Sequence, residues 1–193
     1  MKNNYKTIAL LVIALTLFIQ GCEQDYAPKP RAFFRIDLPE KEYQRLQTQC
    51  PFSFDVPVYA KALDDSRPVA EPCWMNIDFP NYNARIHLSY KALNNDLGKF
   101  IEDSRVLTYK HTAKATDIRE NLFINDSART YGLLYDIKGE AATNIQFYVT
   151  DSTNHFVRGA LYFNTAPNQD SLAPVLEFIR KDIYQIMETF EWK

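Results

Sequence analysis

Residues 143–190, TNIQFYVTDSTNHFVRGALYFNTAPNQDSLAPVLEFIRKDIYQIMETF, decide the fold of this chain. In the first part, Ile145, Phe147 and Val149 alternate with polar or amphipathic neighbours, a period of two that is typical of a half-buried strand. The polar run 151–154 then turns the chain into a second apolar segment, Phe156 to Phe163. The pattern predicts a β-hairpin.

The second part predicts a long terminal helix, because its apolar residues recur at three-four spacing in one continuous stripe. Asp170 or Ser171 is available as the amino-terminal cap, and Pro174 is expected in the first turn, where a missing amide hydrogen costs little. At this length the stripe favours docking onto a sheet face over a coiled-coil seam. The stripe contains Leu172, Val175, Leu176, Ile179, Ile183, Ile186, Met187 and Phe190.

Upstream of this region the apolar pattern predicts further strands and one more helix. A helical period runs from Asn95 to about Ala115, with Asn94 or Asn95 as cap and Leu97, Phe100, Ile101 and Leu107 on the apolar face. Residues 60–72, rich in Asp, Pro and Ala, are expected to be a loop. The predicted strands are centred on Phe52, Phe54 and Val56, on Met75, Ile77 and Phe79, on Ile86, Leu88 and Tyr90, on 122–124 and on 130–137.

The order of strands, helix, strands and helix predicts an α+β fold, an antiparallel sheet packed with two main helices as an α/β sandwich. The final strand pair and terminal helix are similar to the end of the Mog1/PsbP-like fold. That resemblance covers about the last third of the chain and implies nothing about activity.

The amino terminus has the pattern of a targeting segment. Lys2 and Lys6 precede an apolar run over residues 8–19, which is shorter than the roughly 20 residues of a membrane-spanning helix. The run ends in Gly21-Cys22, which resembles a bacterial lipobox, where the cysteine sulfur is acylated and the chain is cut before it. Residues 1–21 are therefore expected to be a lipoprotein signal peptide, with an uncleaved anchor or a chance Gly-Cys as the alternatives.

Residues 22–39 are expected to form an extended tether, because Pro28, Pro30 and Pro39 disfavour helix. The apolar and basic cluster Arg31, Phe33, Phe34 and Arg35 could bind a partner or could dock the tether onto the domain. The rest of the chain, residues 40–193, is expected to be a single α+β domain.

Cys50 and Cys73 form an even pair once Cys22 is assigned to the lipid, and disulfides persist in the cell envelope. A simple hairpin between 51–58 and 73–79 would hold the two cysteines about 20 Å apart, too far for a bridge. A disulfide therefore requires another strand order or a looped-back Cys50. Two buried free thiols are the alternative.

The composition and the motifs limit the chemical functions that the chain can have. The net charge is −2 and the pI is near 5.9, whereas nucleic-acid binders usually carry a basic excess. The three histidines, His87, His111 and His155, have no metal-ligand spacing, and five glycines leave little material for a phosphate-binding loop. Neither a metal nor a cofactor is expected.

Two kinds of polar cluster remain as candidate sites. The acidic pairs 64–65 and 102–103 could act as acid and base, although solvation explains them more simply. The turn after the hairpin's first strand carries Asp151, Asn154 and His155, which make it a candidate recognition surface. These same residue types also satisfy the backbone of a β-turn.

Four stretches together resemble the GldD gliding-motility lipoproteins of the Bacteroidota, and the resemblance spans the whole mature chain. They are YAPKPRAFFRIDLP at 26–39 after the lipobox, CPF at 50–52, QFYVTDSTNHF at 146–156 and IMETFEWK at 186–193.

The resemblance implies a non-enzymatic lipoprotein needed for gliding, an accessory or assembly component coupled to type IX secretion. Its expected partners are other gliding and secretion envelope proteins and, through Cys22, the membrane, with no nucleic acid. The family has no established catalytic residue to transfer, and both later cysteines match family positions. Residues 23–25, Glu-Gln-Asp, lack the lysine of a surface-display signal, which favours a domain facing the periplasm, with the outer membrane preferred over the inner.

Two other functions stay open from the sequence. One is a periplasmic small-ligand or cell-wall-binding module with a site between sheet and helices, and a polar pocket lined by His87 or His155 would favour it. The other is an enzyme acting on peptidoglycan.

Overall fold

The computed structural model of the chain describes residues 36–165 and 169–193. The predicted signal peptide, Cys22 and the cluster from Arg31 to Arg35 lie outside the described residues, and the predicted domain boundaries stay predictions. The elements of the described part are β1 (Tyr43–Arg45), β2 (Phe52–Ser53), β3 (Asp55–Pro57), β4 (Lys61–Asp64), β5 (Met75–Phe79), β6 (Ala84–Ala92), α1 (Leu97–Tyr109), β7 (Ala115–Asn125), β8 (Thr130–Gly139), β9 (Thr143–Thr150), β10 (His155–Phe163), α2 (Gln169–Glu188) and β11 (Glu191–Trp192).

Seven of these strands form one antiparallel sheet with the order β4-β5-β6-β10-β9-β8-β7. The predicted hairpin is β9–β10, and β10 lies at the centre of the sheet. There it joins the three strands that precede α1 to the three that follow it, because β10 also pairs with β6 along its whole length, from His155 opposite Ala92 to Phe163 opposite Ala84. The α+β prediction is confirmed by this architecture.

The two faces of the sheet carry one helix each. On the α2 face, Ile86, Val157 and Leu161 pack with Ile179 and Ile183 in the larger core. On the α1 face, Phe156 and Tyr148 pack with Phe100 of α1 in a smaller cluster. Successive residues of β10 therefore serve different layers, as the period-two pattern requires.

The predicted stripe of α2 is confirmed, since Ile179, Ile183, Ile186 and Met187 are fully buried. Phe190, just after the helix, stacks on Phe52 and Phe54 at 5.4 Å between ring centroids. The helix begins at Gln169, so the predicted cap residues lie in its first turn and Pro174 lies in its second turn, not in its first.

The prediction for α1 was partly wrong. The helix ends at Tyr109, and Leu107 on the predicted apolar face is 39% exposed. The helical residues that are buried are Ser104 and Thr108. The chain leaves the helix because residues 110–114 form consecutive tight turns that lead into β7.

The prediction for residues 51–72 was also partly wrong. The expected loop contains β4, which pairs with β5 so that Ala62 lies opposite Ile77. The single strand expected around Phe54 is two short strands, since β2 pairs with β11 and β3 pairs with β1. Neither β1 nor β11 has an apolar alternation long enough to be recognised, because each has three residues or fewer.

This strand order explains how the two later cysteines meet. β2 and β3 do not pair with β5, so the hairpin geometry that would separate Cys50 from Cys73 does not arise. The two residues form a disulfide with their Cα atoms 5.6 Å apart. Cys73 has a positive φ of 63°, which turns the loop before β5 towards Cys50.

In the part of the chain that the structure describes, no helix combines the length and the apolar character needed to cross a bilayer.

Candidate functional site

The turn between β9 and β10 is organised by Asp151. Its carboxylate accepts backbone hydrogen bonds from Thr153, Asn154 and His155 at 2.8–3.0 Å, and the Thr153 hydroxyl donates to it at 3.1 Å. Burial opposes ionisation, but these donors prevail and lower the pKa of Asp151. The carboxylate is buried and its hydrogen bonds are all local, so it shapes the turn.

The other two residues of the predicted recognition surface differ from each other. Asn154 is exposed, and its backbone carbonyl accepts from the Leu93 amide at 2.8 Å. His155 is enclosed, because its ring stacks on Trp192 at 5.2 Å and its Nδ1 lies 2.9 Å from the Tyr90 hydroxyl. Of the three, Asn154 alone presents its side chain freely to solvent.

The remaining histidines lie apart from the turn. His87 is on β6, with Nδ1 2.6 Å from the Asn76 Oδ1, so Nδ1 carries the proton that it donates to this carbonyl oxygen. Burial lowers the pKa of His87, as do Arg67 and Arg85 nearby. His111 lies in the turns after α1. Among residues 36–165 and 169–193, no group of three or more His, Cys, Asp or Glu side chains could hold a metal ion.

The acidic pairs are engaged by neighbouring arginines. The Arg67 guanidinium donates to Asp65 at 2.5–3.0 Å and lowers its pKa to about 2. Arg105 donates to Glu102 at 2.9 Å, one turn along α1, and likewise lowers the pKa of that carboxyl. The two carboxyls that these arginines engage, Asp65 and Glu102, therefore lack the raised pKa of a general acid.

A buried carboxylate that the sequence did not reveal is Asp182 on α2. It accepts hydrogen bonds from Lys41 at 2.7 Å, from Tyr43 at 2.9 Å and from Tyr59 at 2.8 Å. The Lys41 ammonium also donates to the Phe178 carbonyl at 2.8 Å and lies 3.2 Å from the Phe178 ring centroid. We call Lys41, Tyr43, Tyr59 and Asp182 the Lys41 clamp. Because every donor and acceptor in it is matched, it is a structural cluster.

A groove opens on the α1 face, where the helix leaves part of β6 and β10 uncovered. It has a volume of about 460 Å³, within the range of small-molecule sites. Its lining includes Trp74, His87, Phe100, Leu107, Phe156 and Arg158, and we call it the Arg158 groove. From the sequence, a small-ligand site between sheet and helices with a pocket lined by His87 or His155 stayed open, and His87 lines this groove. Arg158 was not among the candidate residues, although the alternation on β10 indicates where it lies. Phe156, Arg158 and Tyr162 lie at even spacing on β10 and therefore on the same face of the sheet. The pattern thus places a cation on a face that also carries aromatic side chains.

The strand at the edge of the large sheet opposite β4 is β7. This strand has 11 residues and pairs with β8 alone, so one side of its backbone has no partner strand in the described part of the chain. Leu122 is 73% exposed and Ile124 is 59% exposed, on one face of the strand. A long edge with exposed apolar side chains is the type of surface that accepts another strand.

Comparison with known proteins bears on the family and the fold. No curated protein matches the chain significantly. A solved structure that matches is the solution structure of cyanobacterial PsbP from Synechocystis, which is 11% identical, covers 86% of this chain and 100% of that chain, and has a TM-score of 0.49. The fold class stated above rests on the strands and helices themselves. The model of the family described as "Gliding motility lipoprotein GldD" matches residues 23–192, so the chain belongs to the GldD family of gliding motility lipoproteins.

Proposed function

We propose that this lipoprotein is a non-catalytic component of the gliding apparatus that docks onto other envelope proteins and supports type IX secretion. Family membership supports the link to gliding. The lipobox at Cys22 supports attachment to a membrane, and the missing lysine after it favours a domain that faces the periplasm from the outer membrane. The described contacts of the histidines and of the acidic pairs are those of turns, ring stacks and ion pairs. These contacts support a protein that acts by binding and not by catalysis.

The observation that carries the docking proposal is the β7 edge. Its backbone groups on the outer side are available to an added strand, and Leu122 and Ile124 offer apolar contacts beside them. An extended segment of an envelope protein, with apolar residues at alternate positions, fits this edge. Backbone pairing would supply affinity and the two side chains would supply selectivity.

The test replaces the chromosomal copy with a Leu122→Lys/Ile124→Lys variant. Burying two ammonium groups against an apolar strand is costly, so the variant is expected to reach normal levels, to lose most envelope partners recovered by crosslinking, and to spread poorly. Spreading, secretion and the crosslinked proteins are measured in the same cells.

The matched control is Leu63→Lys/Val69→Lys. Leu63 is 53% exposed on β4, the opposite edge of the same sheet, and Val69 is 72% exposed in the following loop. This control variant adds the same charge at similar exposure, and cells that carry it are expected to glide normally. Docking at β7 would be contradicted if cells with the β7 variant glide and crosslink normally. It would also be contradicted if only cells with the control variant lose gliding and crosslinking.

A second function, binding of a small ligand, is favoured by one specific observation: Arg158 lines the Arg158 groove and has no carboxylate partner among the described residues.

A further inference from the structure

In the part of the chain that the structure describes, the Arg158 guanidinium has no carboxylate partner. It lies at the centre of the sheet on β10, partly buried beneath α1, and its Nη2 donates to the Gln146 Oε1. No other hydrogen bond or ion pair holds it in the described part of the chain, and its Nε is buried without an acceptor. Burial lowers the pKa of Arg158, while Tyr135 and Tyr162 oppose this shift. The remaining guanidinium donors make no hydrogen bond within the described part of the chain.

The side chain of Gln146 cannot supply a second acceptor to Arg158. If its amide were flipped, the NH₂ group would face the arginine donor, so Oε1 must point to Arg158. The Nε2 of Gln146 is then buried with no acceptor either, although the side chain is almost fully enclosed. A buried donor without an acceptor is rare in folded proteins, and the Arg158 Nε is one, in a side chain that lines the groove.

The other cations of the groove are already neutralised. Arg67 pairs with Asp65, and Lys91 pairs with Glu71. Asp103, which also lines the groove, forms no ion pair with Arg158. The positive charge of Arg158 also lowers the pKa of His111, after the larger effect of burial. Among the described residues that line the groove, Arg158 is thus the cation without a carboxylate partner, and it matches a single negative charge.

The surroundings of this cation are apolar and aromatic. Phe100 and Phe156 stack on each other at 5.7 Å between ring centroids, and Leu107 and Trp74 are further apolar side chains of the lining. We propose that the Arg158 groove binds a small molecule that carries one carboxylate on an apolar or aromatic body. The planar guanidinium fork suits a carboxylate, whereas a phosphate dianion would require a second free cation.

This inference goes beyond docking at β7 and does not depend on it, because the groove and the β7 edge share no residue. It would make the protein a receptor for a small acid as well as a scaffold.

The experiment measures binding to the full chain in lipid nanodiscs by calorimetry, with empty nanodiscs as the blank. The probes are 4-phenylbutanoate, the neutral alcohol 4-phenylbutan-1-ol, 4-phenylbutylphosphonate, and a short peptide with a free or an amidated carboxyl terminus. The carboxylate is expected to saturate, and the alcohol to bind about tenfold or more weakly, because it lacks the charge-assisted hydrogen bonds.

Two variants on α1 test the location without removing a buried residue. Leu107→Glu places a carboxylate within the groove, where it competes for Arg158, and is expected to abolish binding of the acid. Val106→Glu is the matched control, since Val106 is 43% exposed on the same helix but does not line the groove. This control is expected to bind as the unmodified chain does. An Arg158→Gln variant with a normal circular dichroism spectrum should no longer distinguish acid from alcohol.

Five results would overturn the proposal, and the first four concern the small-molecule probes and the α1 variants. They are equal affinity for acid and alcohol, tighter binding of the phosphonate, no binding of the acid at millimolar concentration, and equal loss in both α1 variants. Preference for the free-carboxyl peptide over 4-phenylbutanoate would reject a small molecule in favour of a protein terminus. None of these results bears on the gliding phenotype of the β7 variant, so the two proposals fail separately.

Discussion

At the residue scale, Asp151 illustrates how a candidate binding residue can be occupied by its own backbone. An acid, hydroxyls and an amide in a turn predict either recognition or local hydrogen bonding, and the sequence alone does not separate these alternatives. In the structure three amides converge on one carboxylate. Of the three residues predicted to form a recognition surface, Asn154 is the one whose side chain is exposed.

Replacing Asp151 by alanine is expected to lower the free energy of unfolding by about 1–3 kcal/mol at pH 7, because three amides lose their acceptor. The pKa of Asp151 is lowered in the folded state, so its charge contributes stability above the ordinary value near 4. This contribution is lost as the pH falls below that value. The difference between the two proteins should therefore shrink from pH 7 to pH 3 in urea denaturation.

Asn154→Ala is the control for this measurement, since it alters the exposed side chain of the same turn. It is expected to change stability little at any pH. A loss for Asp151→Ala that is the same at both pH values would show that the carboxylate charge is not what stabilises the turn.

At the scale of elements, the Lys41 clamp attaches the segment that enters β1 to α2. Lys41 and Asp182 are separated by 141 residues in sequence, and nothing in either local pattern indicates that they meet. Asp182 lies beside Ile183 in the buried stripe, where an acid is an exception to the helical period. Such an exception is a usable sign of a buried partner, because an unpaired carboxylate would be too costly there.

Lys41→Met is expected to destabilise the domain by about 3 kcal/mol, because it leaves the Asp182 carboxylate buried without its cation. Lys61→Met, at an exposed lysine on β4, is the matched control and should have little effect. Chemical denaturation of both variants measures the difference. Equal stability of the Lys41 variant and the control would mean that the two tyrosines suffice to satisfy Asp182.

At the scale of the whole molecule, the disulfide joins two regions that no strand pairing connects. Cys50 precedes β2, which belongs to a small two-stranded sheet, and Cys73 precedes β5 in the large sheet. The bond therefore ties the two sheets beside the carboxyl-terminal strand β11, which pairs with β2.

Breaking this disulfide, by reductant or in a Cys50→Ser/Cys73→Ser variant, is expected to cost about 3 kcal/mol, since the closed loop spans 23 residues. Urea denaturation with and without reductant measures the loss. The double variant should be insensitive to reductant, and an unmodified chain whose transition midpoint does not move with reductant would contradict the prediction.

The sequence by itself determined the layers of this fold. Strand and helix periods placed the hairpin β9–β10 and the stripe of α2 correctly, because burial on one face imposes a local period on neighbouring residues. It also carried the family resemblance and the lipobox. The sequence did not reveal short elements such as β4, β1 and β11, since a few residues cannot establish a period.

Only the tertiary structure decided what the functional candidates contact. The meeting of Cys50 with Cys73, the stacking of His155 on Trp192 and the position of Arg158 depend on which strands become neighbours across long loops. Strand order is set by the free energy of the whole core, not by any local run of residues. For that reason the sequence alone did not show that β6, β10, α1 and the segment before β5 that carries Trp74 would together form the Arg158 groove.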